Sequence, residues 1–289
     1  MSKMSIRFYK DREVRAVWDD ETNKWWFSAV DVVAAINGED DSGKARRYWN
    51  TLKNRHEELQ LSTNCRQLKM TATDGKRYLT DAVGQETISR IARAIGNKKA
   101  EEFLEWFEYS DNTIDGRSQK KAYELFDSPV YGQIEVGTIK GLQQIHAFIF
   151  GGLYDFAGKI RSSNIAKDGF QFAPAQFLGQ TLKEIEAMPE ATFDEIINKY
   201  VEMNIAHPFM EGNGRSTRIW LDLILKKSLG KCVDWSKIEK QQYLDAMRKS
   251  TVDSSEIKRL IKMALTNKIN DRETYMKGID YSYYYEQPE

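Results

Sequence analysis

Cysteine is nearly absent: Cys65 and Cys232 are the two in 289 residues. They lie far apart and match neither disulfide nor metal-ligand spacing. A disulfide-stapled scaffold is excluded, and a reducing cytoplasm is the expected compartment. Long hydrophobic runs are missing as well. Nothing approaches the roughly 18 uninterrupted apolar residues of a membrane-spanning helix, so no membrane partner is expected. Residues 1–10 carry charges and no apolar stretch, so no secretory signal is expected. There is no excess of either charge: Lys plus Arg is 43 and Asp plus Glu is 43. This balance excludes a globally basic nucleic-acid binder and an acidic tail, though not local patches. Internal repeats and low-complexity segments are absent too. What is present is core material. The apolar fraction is 41%, with 7 Trp, 14 Tyr and 13 Phe. Disorder over most of the length is therefore excluded, and one large or two modest domains are expected.

The chain reads differently in its two parts. Early on, Ile6–Tyr9, Val14–Trp18 and Trp25–Phe27 are short apolar runs between polar breaks, the pattern of two or three strands. Val30, Val32, Val33 and Ile36 follow at helical spacing behind Ser28, a candidate N-cap. Residues 44–56 read as a second helix and 85–109 as one or two more, so 1–110 is a small α+β unit. The small polar stretch 111–118 is the expected linker. Residues 119–289 are mostly helical. Thr192 and Glu195 fit a capping box opening a helix that Pro208 ends. The next helix, 215–229, is apolar around most of its circumference and should be central.

The most informative stretch is His207-Pro208-Phe209-Met210-Glu211-Gly212-Asn213-Gly214-Arg215-Ser216-Thr217-Arg218. Glycines flanking Asn213 let the backbone form a concave nest of N–H groups. The start of a helix adds free donors and positive dipole. Arg215 and Arg218, three apart, can project from that first turn towards one anion. This is a phosphate site. Glu211 supplies a hard oxygen ligand suited to Mg²⁺ held together with substrate phosphates. His207 can take a proton near neutral pH. Together these parts describe phosphoryl or nucleotidyl transfer, with His207 deprotonating an incoming hydroxyl. No Walker A loop is present.

The segment resembles the Fic family motif, His-Pro-Phe-x-(Asp/Glu)-Gly-Asn-Gly-Arg-x-x-Arg, at every fixed position. Gly151–Arg161 is similar to the family's segment ahead of its flap. Lys167, Asp168, Gly169 and Phe170, within Lys167–Pro174, resemble the flap, a hairpin that pins the target side chain. The resemblance covers about residues 120–289. It implies a Fic-type helical bundle with a small β-hairpin flap, so the fold class is mostly α. It also implies AMP transfer from ATP and Mg²⁺ to a Tyr, Thr or Ser hydroxyl of a target protein. In that scheme His207 is the general base, Phe209 anchors the loop and Glu211 holds Mg²⁺. Gly212, Asn213 and Gly214 form the phosphate nest, and Arg215 and Arg218 grip the outer phosphates. Relatives of the Doc type run a kinase reaction and carry a basic residue where this chain has Gly214, which favours AMP transfer here.

The chain ends on a tyrosine cluster at 281–285. Ser282-Tyr283-Tyr284-Tyr285-Glu286 resembles the family's inhibitory element, Ser/Thr-x-x-x-Glu-Gly/Asn, with Gln287 in place of Gly or Asn. The resemblance implies an inhibitory helix at about 278–287, whose Glu286 would pair with Arg218 and displace the γ-phosphate. Ser282 and Glu286, four apart, would share one helix face. Homo-oligomerisation is a further expected control, and Tyr283, Tyr284 and Tyr285 are candidates for self-modification.

Residues 5–59 resemble the BRO N-terminal domain of phage antirepressors through Trp25–Ile36 and the stretch Lys44–Leu59 with Tyr48-Trp49. Such domains are associated with DNA binding. Residues 44–77 hold nine Lys/Arg against three acids, and Lys44, Arg46, Arg47, Lys53 and Arg55 fall on or near one helix. Residues 1–115 as a whole hold 19 basic and 20 acidic residues, so a protein-docking role stays equally open. The expected protein is a self-inhibited, toxin-like adenylyltransferase. The competing readings are a DNA-binding regulator with a secondary Fic domain, and a Fic enzyme using another nucleotide or phosphoryl donor.

Overall fold

The computed structural model describes residues 4–10, 12–19, 24–56, 59–72, 74–110, 113–167 and 169–287. The chain divides into two units, Met1–Thr113 and Ile114–Glu289.

In the first unit the three apolar runs form a meander of β1 (Met4–Tyr9), β2 (Arg12–Asp19) and β3 (Lys24–Ser28). Helix α1 (Ala29–Asn37) follows directly, because the Ser28 hydroxyl accepts the Asp31 N–H (3.3 Å) and caps its first turn. Helix α2 (Ser42–Arg55) is capped the same way by Asp41. Strands β4 (Cys65–Thr71) and β5 (Arg77–Val83) form a hairpin, and helices α3 (Gln85–Ile95) and α4 (Lys98–Ser110) close the unit. The sheet order is β1-β2-β3-β5-β4, with every pairing antiparallel. Strands β4 and β5 carry no clear apolar alternation, since their outer halves are exposed; only Met70, Thr71, Ala82 and Val83 are buried. The sheet's other face covers a core of Val32, Val33, Ile36, Trp49, Ile88, Ile91 and Phe103.

The second unit is helical. Its elements are α5 (Ile114–Asp127), α6 (Ile139–Phe150), β6 (Ala166–Lys167), β7 (Phe170–Gln171), α7 (Ala175–Ala187), α8 (Phe193–Ala206), α9 (Asn213–Leu229), β8 (Cys232–Val233), α10 (Lys240–Lys249), α11 (Ser255–Ala264), β9 (Leu265–Thr266) and α12 (Arg272–Tyr284). Helix α9 packs against α6, α8 and α12. Its Trp220, Leu221, Ile224 and Leu225 are fully buried, as a helix apolar on most sides requires. Helix α8 opens on the Thr192–Glu195 capping box, Thr192 Oγ1 accepting from Glu195 N (3.3 Å) and Glu195 Oε2 from Thr192 N (2.8 Å). The fold is mostly α, a helical bundle with a small hairpin, behind a small α+β unit.

Two boundaries differ from expectation. Residues 114–118, expected within a linker, begin α5, because Ser118 is buried and its hydroxyl bonds back to the Asp115 carbonyl (3.0 Å). The terminal helix runs from 272 to 284 rather than 278 to 287, and Asp271 caps it by accepting from Thr274 N (2.9 Å). Among the described residues no helix is long and apolar enough to cross a membrane.

Candidate active site

The site is built around the turn from α8 to α9. Helix α8 ends at Ala206, and His207 takes a left-handed conformation (φ 49°) that Pro208 follows. Phe209 is fully buried and stacks on His146 of α6 (3.8 Å between ring centroids). Asn213 closes the loop: its Oδ1 accepts from Phe209 N and its Nδ2 donates to Phe209 O, both at 2.8 Å. The Asn213 side chain is therefore spent on loop shape, which leaves only its backbone N–H for the expected nest. The first intrahelical bond runs from Ser216 N to Gly212 O (3.1 Å), so the N–H groups of Asn213, Gly214 and Arg215 precede the helical ladder.

A side chain would meet close neighbours at two glycines here. At Gly212 (φ +78°) a Cβ would overlap the Phe150 ring. At Gly214 a Cβ would collide with Glu286 Oε1 and sit 3.0 Å from Arg218 Nη1.

His207 presents an unprotonated ring nitrogen. Its Nδ1 lies 3.2 Å from the Asn204 carbonyl, which can only accept, so Nδ1 carries the proton and Nε2 keeps its lone pair. The ring stacks on Phe172 (3.7 Å between centroids), just past the hairpin. Burial holds its pKa down to about 4, so the imidazole is neutral at pH 7. Arg161 fixes the backbone beneath it. This buried guanidinium donates to the carbonyls of His207 (2.7 Å), Ser163 (2.7 Å), Ala173 (2.5 Å) and Ala206 (3.0 Å).

Both arginines of the motif are buried. Arg215 lies between the rings of Phe150 (5.0 Å) and Tyr283 (5.2 Å). Its Nη2 donates to Glu211 Oε1 (2.8 Å) and its Nη1 to Asp115 Oδ1. Arg218 donates from Nε to Ser282 Oγ (2.7 Å), and from Nη2 to Ser282 O (2.8 Å) and Glu286 Oε1 (2.6 Å). Tyr243 OH stands 3.2 Å from its Nη1. Burial opposes the charge of Glu286, but Arg218 outweighs it and holds that carboxyl below the ordinary range. Glu286 lies just past the end of α12 in a tight turn, its N–H bonded to Tyr283 O (3.1 Å). That turn, rather than a shared helix face, brings it beside Ser282. Glu211 remains the one motif carboxylate, half exposed, with Oε1 also accepting from Gly212 N (2.9 Å). Among the described residues no three His, Cys, Asp or Glu side chains cluster as a metal cage.

The hairpin of β6 and β7 turns at Gly169 (φ +80°) and pairs Lys167 with Phe170. Lys167 Nζ reaches to 4.0 Å from Glu286 Oε2, and Phe170 is partly exposed. Asp168 lies outside the described residues. In the first unit, Lys44, Arg46, Arg47 and Arg55 are exposed on α2, whereas Lys53 leaves the expected basic stripe to pair with Asp81 (2.8 Å).

Sequence reasoning missed three supports. His146 is fully buried, accepting from Gly158 N and donating to Glu211 O (2.9 Å each). It sits in an apolar helix with no partner at motif spacing. Arg161 lies at the end of the segment Gly151–Arg161, where nothing in the local sequence points to the carbonyls it serves. Asp115 fell in the expected linker.

Residues 137–225 match the model of the Fic/DOC family. The chain is 30% identical over 175 residues to the protein adenylyltransferase VbhT of Bartonella schoenbuchensis, covering 55% of this chain and 35% of VbhT. It thus spans about a third of that relative's length. It is 28% identical over 145 residues to the probable protein adenylyltransferase Fic of Escherichia coli, covering 45% of this chain and 72% of that protein. Among solved structures, BepC of Bartonella tribocorum with bound AMPPNP is similar at 18% identity and a TM-score of 0.47, over 55% of this chain and 87% of that one. The loop from His207 to Arg218, with both buried arginines, falls wholly inside the segment that matches the Fic/DOC family model.

Proposed function

We propose that the chain is a self-inhibited protein adenylyltransferase. The observation that carries this is a neutral His207 with Nε2 unprotonated, held beside the open first turn of α9 and its two buried arginines. In the reaction, His207 Nε2 takes the proton from a target hydroxyl. The hydroxyl oxygen forms a bond to the α-phosphorus of ATP, and the bond from that phosphorus to the pyrophosphate oxygen breaks. The first-turn N–H groups receive phosphate oxygens, and Arg215 and Arg218 carry charge developing on the leaving group. Glu211 suits Mg²⁺ as a single hard carboxylate that needs substrate phosphates to complete the sphere. Bound there, the ion would neutralise phosphate charge. The hairpin with Lys167, Gly169 and Phe170 would position the target.

The same reading makes α12 a brake. Ser282 and Glu286 occupy Arg218, and the Glu286 carboxylate fills the space above Gly214 that a phosphate oxygen would need. The exposed cations on α2 favour a docking role for the first unit, towards nucleic acid or protein. A salt-dependent shift of labelled DNA by the full chain separates the two.

Intact-mass spectrometry with ATP and Mg²⁺ tests the main reading on wild type, Glu286→Gly, and Glu286→Gly with His207→Ala. An AMP adduct strong in the single variant, weak in wild type and absent in the double supports it. A phosphate adduct would replace it with a kinase reaction.

A further inference from the structure

Arg215 carries two carboxylates. One belongs to its own loop, Glu211. The other, Asp115, comes from the first turn of α5, 100 positions away in sequence. The Arg215 side chain is 4% exposed and that of Asp115 is 68% exposed. The guanidinium is therefore fixed and the carboxylate is free to swing away. Arg218 and Glu286 show the same asymmetry, at 3% and 27%. Each arginine is thus covered by a carboxylate that is more accessible than itself. The two covering groups come from helices packed on each other. Gln119 Nε2 of α5 donates to Asp280 Oδ1 of α12 (2.8 Å), Tyr123 OH of α5 bonds the same oxygen, and Tyr275 OH of α12 donates to Ala122 O (2.9 Å).

We propose that Asp115 is a second anionic plug, occupying on Arg215 the place of an outer phosphate oxygen of the nucleotide. This rests on reading the site as a nucleotide site. A guanidinium presents its N–H groups in a fixed fork, so one oxygen displaces another from a given direction. Asp115, Glu211 and Glu286 also offset the charges of both guanidiniums and of Lys167, which cancels the positive field an incoming phosphate would otherwise meet. Helices α5 and α12 therefore act as one device, α12 closing Arg218 and α5 closing Arg215. Releasing α12 alone leaves half of it in place.

The test uses the full chain in a Glu286→Gly background, with Asp115→Asn and Asp115→Glu added separately. Titrations with ATP, ADP and AMP in Mg²⁺ are combined with KM and kcat for AMP transfer, and thermal melts check folding. Removing a charge this exposed should tighten ATP and ADP binding about fivefold. AMP, which has no outer phosphate, should bind unchanged. KM for ATP should fall in parallel with kcat little altered, and Asp115→Glu should match the parent. Unchanged or weaker ATP binding by Asp115→Asn at an unaltered melting temperature overturns the plug. So does an equal effect on AMP. A parent that binds ATP and transfers nothing sinks the adenylyltransferase reading, while the affinities still judge the plug. A parent that binds no nucleotide removes both.

Discussion

Replacing Glu286 with Gly should raise AMP transfer, and the structure sets how far. Arg218 has four polar contacts: Ser282 Oγ, Ser282 O, Tyr243 OH and Glu286 Oε1. The substitution removes only the last. The guanidinium stays positioned, and one of the two N–H groups on its Nη2 is released for phosphate, the other staying on Ser282 O. A charge-assisted hydrogen bond of this kind contributes about 1.5–3 kcal/mol. Because the Glu286 side chain is about a quarter exposed, the lower half of that range applies. Competition at Nη2 then accounts for about a 13- to 45-fold rise at ATP below KM. Lost volume adds to this, since Glu286 Oε1 fills the space over Gly214. The assay is the initial rate of labelled AMP incorporation, at matched protein concentration and on a matched target. Stability should fall by about 1 kcal/mol, because a buried arginine loses one partner. A well-folded variant with an unchanged rate and unchanged ATP affinity would refute the reasoning. In that case the Arg218–Glu286 pair would be a structural contact and nothing more.

Gly214→Ala should destabilise the wild type by about 1–2 kcal/mol, through overlap with Glu286 and Arg218. In the Glu286→Gly background the cost should shrink, and denaturant midpoints of the four proteins give that coupling directly. Arg161→Met removes a fork serving four carbonyls, so it should cost about 3 kcal/mol or more and lower kcat through a displaced His207. Arg161→Lys, a point charge, should not restore the rate. Acid should weaken the fold. His146 and His207 are both held at about 4 by burial, against about 6.5 in an unfolded chain. Between those values the unfolded state binds protons that the folded state refuses, so stability is full above about pH 6.5 and drains towards pH 4, by up to about 3 kcal/mol per histidine. Urea midpoints at pH 7.5, 6 and 5 measure it. Transfer by Glu286→Gly should stay flat between pH 6 and 8, because His207 remains a neutral base throughout.

Local chemistry was legible without coordinates wherever it depends on near neighbours in the chain. The capping box at Thr192, the cap at Ser28, the buried character of α9 and the loop from His207 to Arg218 each involve residues a few positions apart. The β4–β5 hairpin was not legible, because its exposed outer halves carry no apolar alternation. The range 114–118 read as linker because its residues are small and polar. It is helical because Ser118 and the face of α5 are buried.

The sequence alone therefore pointed to a kind of chemistry, through a glycine-flanked helix start, two arginines at one-turn spacing, and a histidine and a carboxylate in the same motif. Tertiary structure decided the state of that chemistry. Which nitrogen of His207 is free depends on the Asn204 carbonyl, and its neutrality depends on burial beneath Phe172. Which oxygens hold the arginines depends on Asp115, 100 positions upstream of Arg215, and on Glu286, 68 positions downstream of Arg218. A guanidinium in sequence is a donor without a partner, and only the packing around α9 says which carboxylates cover it.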